Sequence, residues 1–136
     1  MIRKAFSALL MMTLLTACQE TIEERAEREA REYTQKYCPT PPQNNVITDS
    51  IVFDKKSRTQ IHYGTFVGVI DDSAKIAAAK EEIKRETLTM LRQNASIKTY
   101  KDAGFNFELV YRSQKTGHQL LHLRYTAEDL KAKNAE

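Results

Sequence analysis

The sequence predicts an α+β domain in two layers, a four-stranded antiparallel sheet with helices mainly on one face, in the order α-β-β-α-β-β-α. Three observations carry this expectation. Two segments, residues 20–37 and 74–93, space their apolar side chains by three and four, as one face of a helix requires. Phe105, Phe107, Leu109 and Tyr111 alternate with Asn106, Glu108, Val110 and Arg112, the period of a half-buried strand. Extended runs joined by short polar connections, with helices between and around them, then have to bury one face of a sheet under helices.

The first helix, residues 20–37, carries Ile22, Ala26, Ala30, Tyr33 and Tyr37 on one stripe. Glu24 to Arg28 and Glu27 to Arg31 follow the favourable i,i+4 order on its other faces. It either docks on the domain or partly serves as a spacer, and docking of its C-terminal half through Tyr33 and Tyr37 is the favoured reading. Pro39, Pro41 and Pro42 stop it. Val46–Phe53 and Thr59–Ile70 read as strands joined by the loop 54–58. On the second, Ile61, Tyr63, Val67 and Val69 are assigned to the core face, and His62, Gly64, Phe66 and Gly68 to the other.

Asp71, Asp72 and Ser73 offer caps for a helix over 74–93, whose buried stripe is Ile76, Ala79, Ile83, Thr87, Met90 and Leu91. Ser96 caps a short turn through Tyr100 that Gly104 closes. After the alternating strand and the turn 114–117, Leu121, Leu123 and Tyr125 continue an apolar face on the last strand. Thr126 and Asp129 form a capping box for a helix over 127–133.

The chain opens with Met1-Ile2-Arg3-Lys4, an apolar run from Ala5 to Leu15, and then small residues, the pattern of a secretory signal peptide. A span would need about 20 apolar residues, and this run closes at Cys18-Gln19-Glu20. The leading segment is therefore read as a signal peptide and not a span; the motif at Leu15 to Cys18 sets its bounds at 1–17, with 18–136 as one domain. Removal of Arg3 and Lys4 from the 21 cationic side chains leaves 19 against 18 acidic ones. A nearly neutral domain gives no basic patch for a nucleic-acid partner.

Leu15-Thr16-Ala17-Cys18 resembles the bacterial lipobox. The resemblance implies that Cys18 becomes the first residue of the mature chain, carrying diacylglycerol and an acyl chain such as palmitate, so that the partner on this side is the membrane. Gln19, where an Asp would favour inner-membrane retention, implies sorting to the outer membrane, with the periplasmic or the surface side left open. The run Tyr37-Cys38-Pro39, then Thr48-Asp49-Ser50-Ile51-Val52-Phe53 and Thr59-Gln60-Ile61-His62-Tyr63, is similar to small uncharacterised Gram-negative lipoproteins over residues 37–125. That resemblance implies a compact secreted α+β domain and brings no activity with it.

If Cys18 is lipidated, Cys38 has no partner within the chain. It is then a buried small hydrophobe, the favoured reading, or an intermolecular bridge or reactive thiol. His118 and His122 are four apart, a zinc spacing on a helix. On a strand they lie roughly 13 Å apart and cannot share an ion. No metal or other cofactor is expected, and no nucleophile elbow, metalloprotease motif or phosphate loop is present.

A candidate binding surface comprises His62 and Phe66 of the second strand with His122 and Arg124 of the last, beside the glycines at 64 and 68. The bland alternative is a helix-covered face, or a cross-strand aromatic filling the glycine gaps. Two functions follow from these readings. One is a non-catalytic, lipid-anchored module that binds an envelope protein or glycan. The other is a small secreted enzyme or enzyme inhibitor acting on envelope polymers.

Overall fold

The computed structural model describes residues 19–131; the signal segment, Cys18 and the end of the expected C-terminal helix lie outside them. The elements are α1 (Ile22–Tyr37), β1 (Val46–Asp54), β2 (Thr59–Phe66), α2 (Ser73–Gln93), α3 (Lys98–Asp102), β3 (Asn106–Ser113), β4 (Gln119–Tyr125) and α4 (Ala127–Lys131). The expected alternation holds, and the expected short turn through Tyr100 is the single-turn helix α3. Asp72 caps α2 by accepting the N–H groups of Ala74 and Lys75, and the Thr126–Asp129 capping box forms. Asn94, not Ser96, caps the turn before α3, accepting the Ser96 N–H at 2.9 Å.

The sheet runs β1-β2-β3-β4 and is mixed, which corrects the antiparallel expectation. Its two hairpins are antiparallel, but β2 pairs with β3 in parallel. The length of α2 is the reason. Its 21 residues span about 31 Å, enough to carry the chain back along strands about 26 Å long. Strand β3 consequently starts where β2 starts, and Asn106 N–H donates to the Arg58 carbonyl at 2.9 Å. Parallel neighbours need a crossover of this kind.

The parallel register places Gly64 beside Tyr111 and His62 beside Leu109. His62, Gly64 and Phe66 therefore face the helices, and the assignment of Ile61 and Tyr63 to the core face is reversed, while Val67 and Val69 lie beyond the end of the strand, Val67 buried as expected and Val69 exposed. Phe66 is 4% exposed, against 37% for Tyr63 and 71% for Val69. Alternation also stops at Phe66, because Gly68 takes φ +62° in a short 3₁₀ turn over Gly68–Ile70. At Gly64 the outcome is the cross-strand aromatic weighed against a binding strip. A Cβ there would lie 2.9 Å from Tyr111 Cε1 and 3.0 Å from the Ile47 carbonyl oxygen, so the ring occupies the space a side chain would need.

Phe53, Phe105, Phe107, Leu121, Leu123 and Tyr125 join Phe66 in the core beneath Ile76 and Leu91 of α2. Helix α1 docks on β1 through Ala26 and Ala30, whose small side chains let the backbones approach. Tyr33 and Tyr37 stay largely exposed, contrary to expectation. What ties the C-terminal half of α1 down is Thr34. Its hydroxyl donates to the Ile51 carbonyl at 2.9 Å and accepts the Ile51 N–H at 2.8 Å. Thr40 does the same at Thr48, with backbone and side-chain bonds of 3.0 Å each. These bonds satisfy part of the outer edge of β1, which would otherwise be open to another strand.

Two stability measurements follow. Gly64→Ala destabilises the domain by about 1–3 kcal/mol through overpacking. Combined with Tyr111→Ala its cost falls, a non-additive cycle in urea denaturation. Thr34→Val leaves the Ile51 groups without their protein partner and costs about 1–2 kcal/mol in the same assay.

Candidate functional site

Helix α1 lies over β1 and α2 over β4, so the middle strands form a floor between two helices. Along α2 this floor is the base of an apolar groove of about 380 Å³. Val46, Phe66 and Tyr111 line the sheet side, and Ile76, Ile83 and Met90 the helix side. Met90 is 57% exposed although it belongs to the expected buried stripe of α2. The stripe is wider than the sheet contact, and its surplus becomes a wall. Across the floor, Glu29 of α1 accepts the Tyr100 hydroxyl, and Tyr33 and Tyr37 continue that helix face one and two turns on. The two tyrosine rings pack against each other at 5.1 Å.

The four expected surface residues do not come together. His62 and Phe66 lie on the helix side, Phe66 within the core and groove. His122 and Arg124 lie on the opposite, open face, where both reach the Glu108 carboxylate. The reason is the register. Tyr63 pairs with Val110 and Val110 with His122, so the parity that puts His122 outward puts His62 inward. The open face also carries Ile61, Tyr63 and Val110, flanked by an Asp49–Thr65–Arg112 hydrogen-bonded set.

The two groups that could serve as a general base or a nucleophile, His62 and Cys38, are poorly arranged for catalysis. Burial holds the His62 imidazole at about 4, well below its ordinary value. The Gln60 amide nitrogen, which can only donate, lies 3.1 Å from His62 Nε2, which fits a neutral ring accepting at that nitrogen. Burial, with the Asp49 carboxylate, pushes the free Cys38 thiol up, the reverse of an activated nucleophile. Cys38 is half-buried, less enclosed than the core position favoured for it. Among the described residues no group of three or more His, Cys, Asp or Glu is placed to hold a metal ion, and no helix is long and apolar enough to cross a membrane.

The partly buried His62 makes stability depend on pH. In the unfolded chain it takes a proton below about 6.5, whereas the folded protein resists until about 4. Stability therefore falls as pH drops through that window, by at most about 3 kcal/mol from this residue. Denaturation at pH 7 and pH 4.5 should show a smaller loss for His62→Gln than for the parent.

The fold recurs in solved structures of low sequence identity. A protein of Pseudomonas aeruginosa described as secreted superimposes with a TM-score of 0.67 at 10% identity, covering 79% of this chain and 91% of that one. The type II secretion pilotin EpsS of Vibrio vulnificus gives 0.62 at 14% identity, covering 82% and 93%. The type II secretion pilotin AspS of Vibrio cholerae gives 0.58 at 14% identity, covering 79% and 90%. No curated protein matches the sequence. Residues 21–121, from the cap of α1 to the middle of β4, match one family, and this chain belongs to it: DUF8479, a domain of unknown function.

Proposed function

We propose that this protein is a lipid-anchored envelope module that acts without catalysis, seating an apolar segment of an envelope protein in the groove beside α2. The observation that carries this reading is the groove itself, a cavity of about 380 Å³ whose walls on sheet and helix are aliphatic and aromatic apart from Lys75 and Thr87. Such a lining suits a protein segment better than a glycan, which needs converging hydrogen-bonding groups. From Ile76 to Met90 the α2 wall runs about 21 Å, the length over which a short amphipathic helix presents apolar anchors at i, i+3, i+4 and i+7. The fold shared with two type II secretion pilotins supports an accessory role in assembling envelope machinery.

Attachment is through Cys18, acylated after removal of residues 1–17, with the outer membrane as the site. Two or more acyl chains give stable anchoring where one gives only marginal binding. Neither His62 nor Cys38 is poised for proton transfer or nucleophilic attack, so no observation favours the enzyme reading.

The test is crosslinking and recovery of envelope proteins from cells making the parent, Met90→Asp or Ile83→Asp. A charge in the groove should lower recovery of a specific partner about tenfold or more, the equivalent of about 1.4 kcal/mol. Circular dichroism and the unfolding midpoint of Met90→Asp should stay near the parent's because Met90 is exposed. Equal recovery by both variants would remove the groove from the binding surface.

A further inference from the structure

Very little chain separates Cys18 from fixed structure. Thr21 caps α1, its hydroxyl accepting the Glu24 N–H at 3.1 Å while the Glu24 carboxylate accepts the Thr21 N–H at 2.9 Å. Glu20 is held before it by a forked pair with Arg28, at 2.7 and 3.0 Å. The backbone is thus tied down from Thr21 onward, Glu20 is held through its side chain, and Gln19 alone lies between Glu20 and Cys18. The tether from Glu20 to the anchoring residue is two Cα steps, about 8 Å at full stretch.

The same end of α1 is bonded to the β1–β2 turn. Arg58 pairs with Glu23 at 3.0 Å and Lys55 with Glu27 at 2.6 Å. Arg58 also donates to the Ala103 carbonyl at 2.8 Å, which brings the bend before β3 to this end. At the other end of the strands are the β3–β4 turn and the start of α2, joined by the Lys115 N–H to the Asp71 carboxylate at 2.9 Å.

Taking Cys18 as the acylated anchor of the proposed function, the geometry points to a fixed orientation on the bilayer. The β1–β2 turn over Lys55–Arg58, the Ala103–Gly104 bend and the first turn of α1 form a surface that lies against phospholipid headgroups. The tether sets this contact more than charge does, since Glu23 and Glu27 neutralise Arg58 and Lys55. The groove end formed by Val46, Phe66 and Ile76 then points away from the membrane, and a partner segment enters it from that side.

Depth measurement tests the orientation. Full-length protein, acylated in a Gram-negative host and carrying Cys38→Ser, is labelled with a fluorophore at Lys56→Cys or at Thr116→Cys. It is then placed in vesicles of phosphatidylethanolamine and phosphatidylglycerol with a headgroup-nitroxide lipid. Since the eight residues of β3 separate the two positions by about 26 Å, quenching at 56 should exceed that at 116 by about twofold or more. A ten-residue Gly/Ser insertion between Gln19 and Glu20 should bring the two values together. Equal quenching without the insertion, or quenching at 56 that the insertion leaves unchanged, overturns the orientation. Mass spectrometry of the same sample separates the premise from the inference, because an unacylated Cys18 overturns the anchor itself.

Discussion

The parallel pairing of β2 with β3, with Gly64 set against the ring of Tyr111, is the constraint on which the other features depend. It decides which face of β2 looks toward the helices. It joins the two hairpins into one sheet, and it aligns Phe66 with the strand ends beneath α2. A side chain at 64 would press on both an aromatic ring and a backbone carbonyl, one displaceable and one fixed. The absence of a Cβ is therefore a packing requirement of the neighbouring strand, and the φ of Gly64 does not enter into it.

The sheet has two edges and the chain treats β1 with particular care. Helix α1 and the segment after it lie along that strand, and the hydroxyls of Thr34 and Thr40 take up backbone groups that would otherwise face outward. These are modest bonds singly, about 1 kcal/mol each. Their placement blocks edge-to-edge association and fixes α1 relative to the sheet. A helix that is pinned at Thr34 and capped at Thr21 transmits the position of its N-terminus to the whole domain.

The groove arises from how helices are distributed over the sheet. Two helices placed over the outer strands leave the central floor only partly covered, and apolar side chains of α2 that exceed the sheet contact line the opening. The groups that could do acid–base or nucleophilic chemistry are quiet: His62 is kept neutral by burial, and the Cys38 thiol is raised. Such a site has shape and apolar surface to offer, which is the chemistry of recognition.

Much of this was legible in the chain itself. The helical spacings of 22–37 and 76–91, the alternation over 105–111 and the caps at Asp72 and Thr126 define elements through local periodicity and short-range hydrogen bonds. Those rules act within a few residues and can be read within a few residues. The near-neutral charge of 18–136 and the signal-like start are likewise compositional. Strand direction, by contrast, depends on where a 21-residue helix delivers the chain, although its length was a usable sign of a crossover. The face of His62, the filling of the gap at Gly64 and the separation of His62 and Phe66 from His122 and Arg124 depend on register between strands more than forty residues apart. Period two is the same on either face, so alternation alone cannot say which face is buried. Only the partner strand and the helix above it decide that, and with it where the protein can bind.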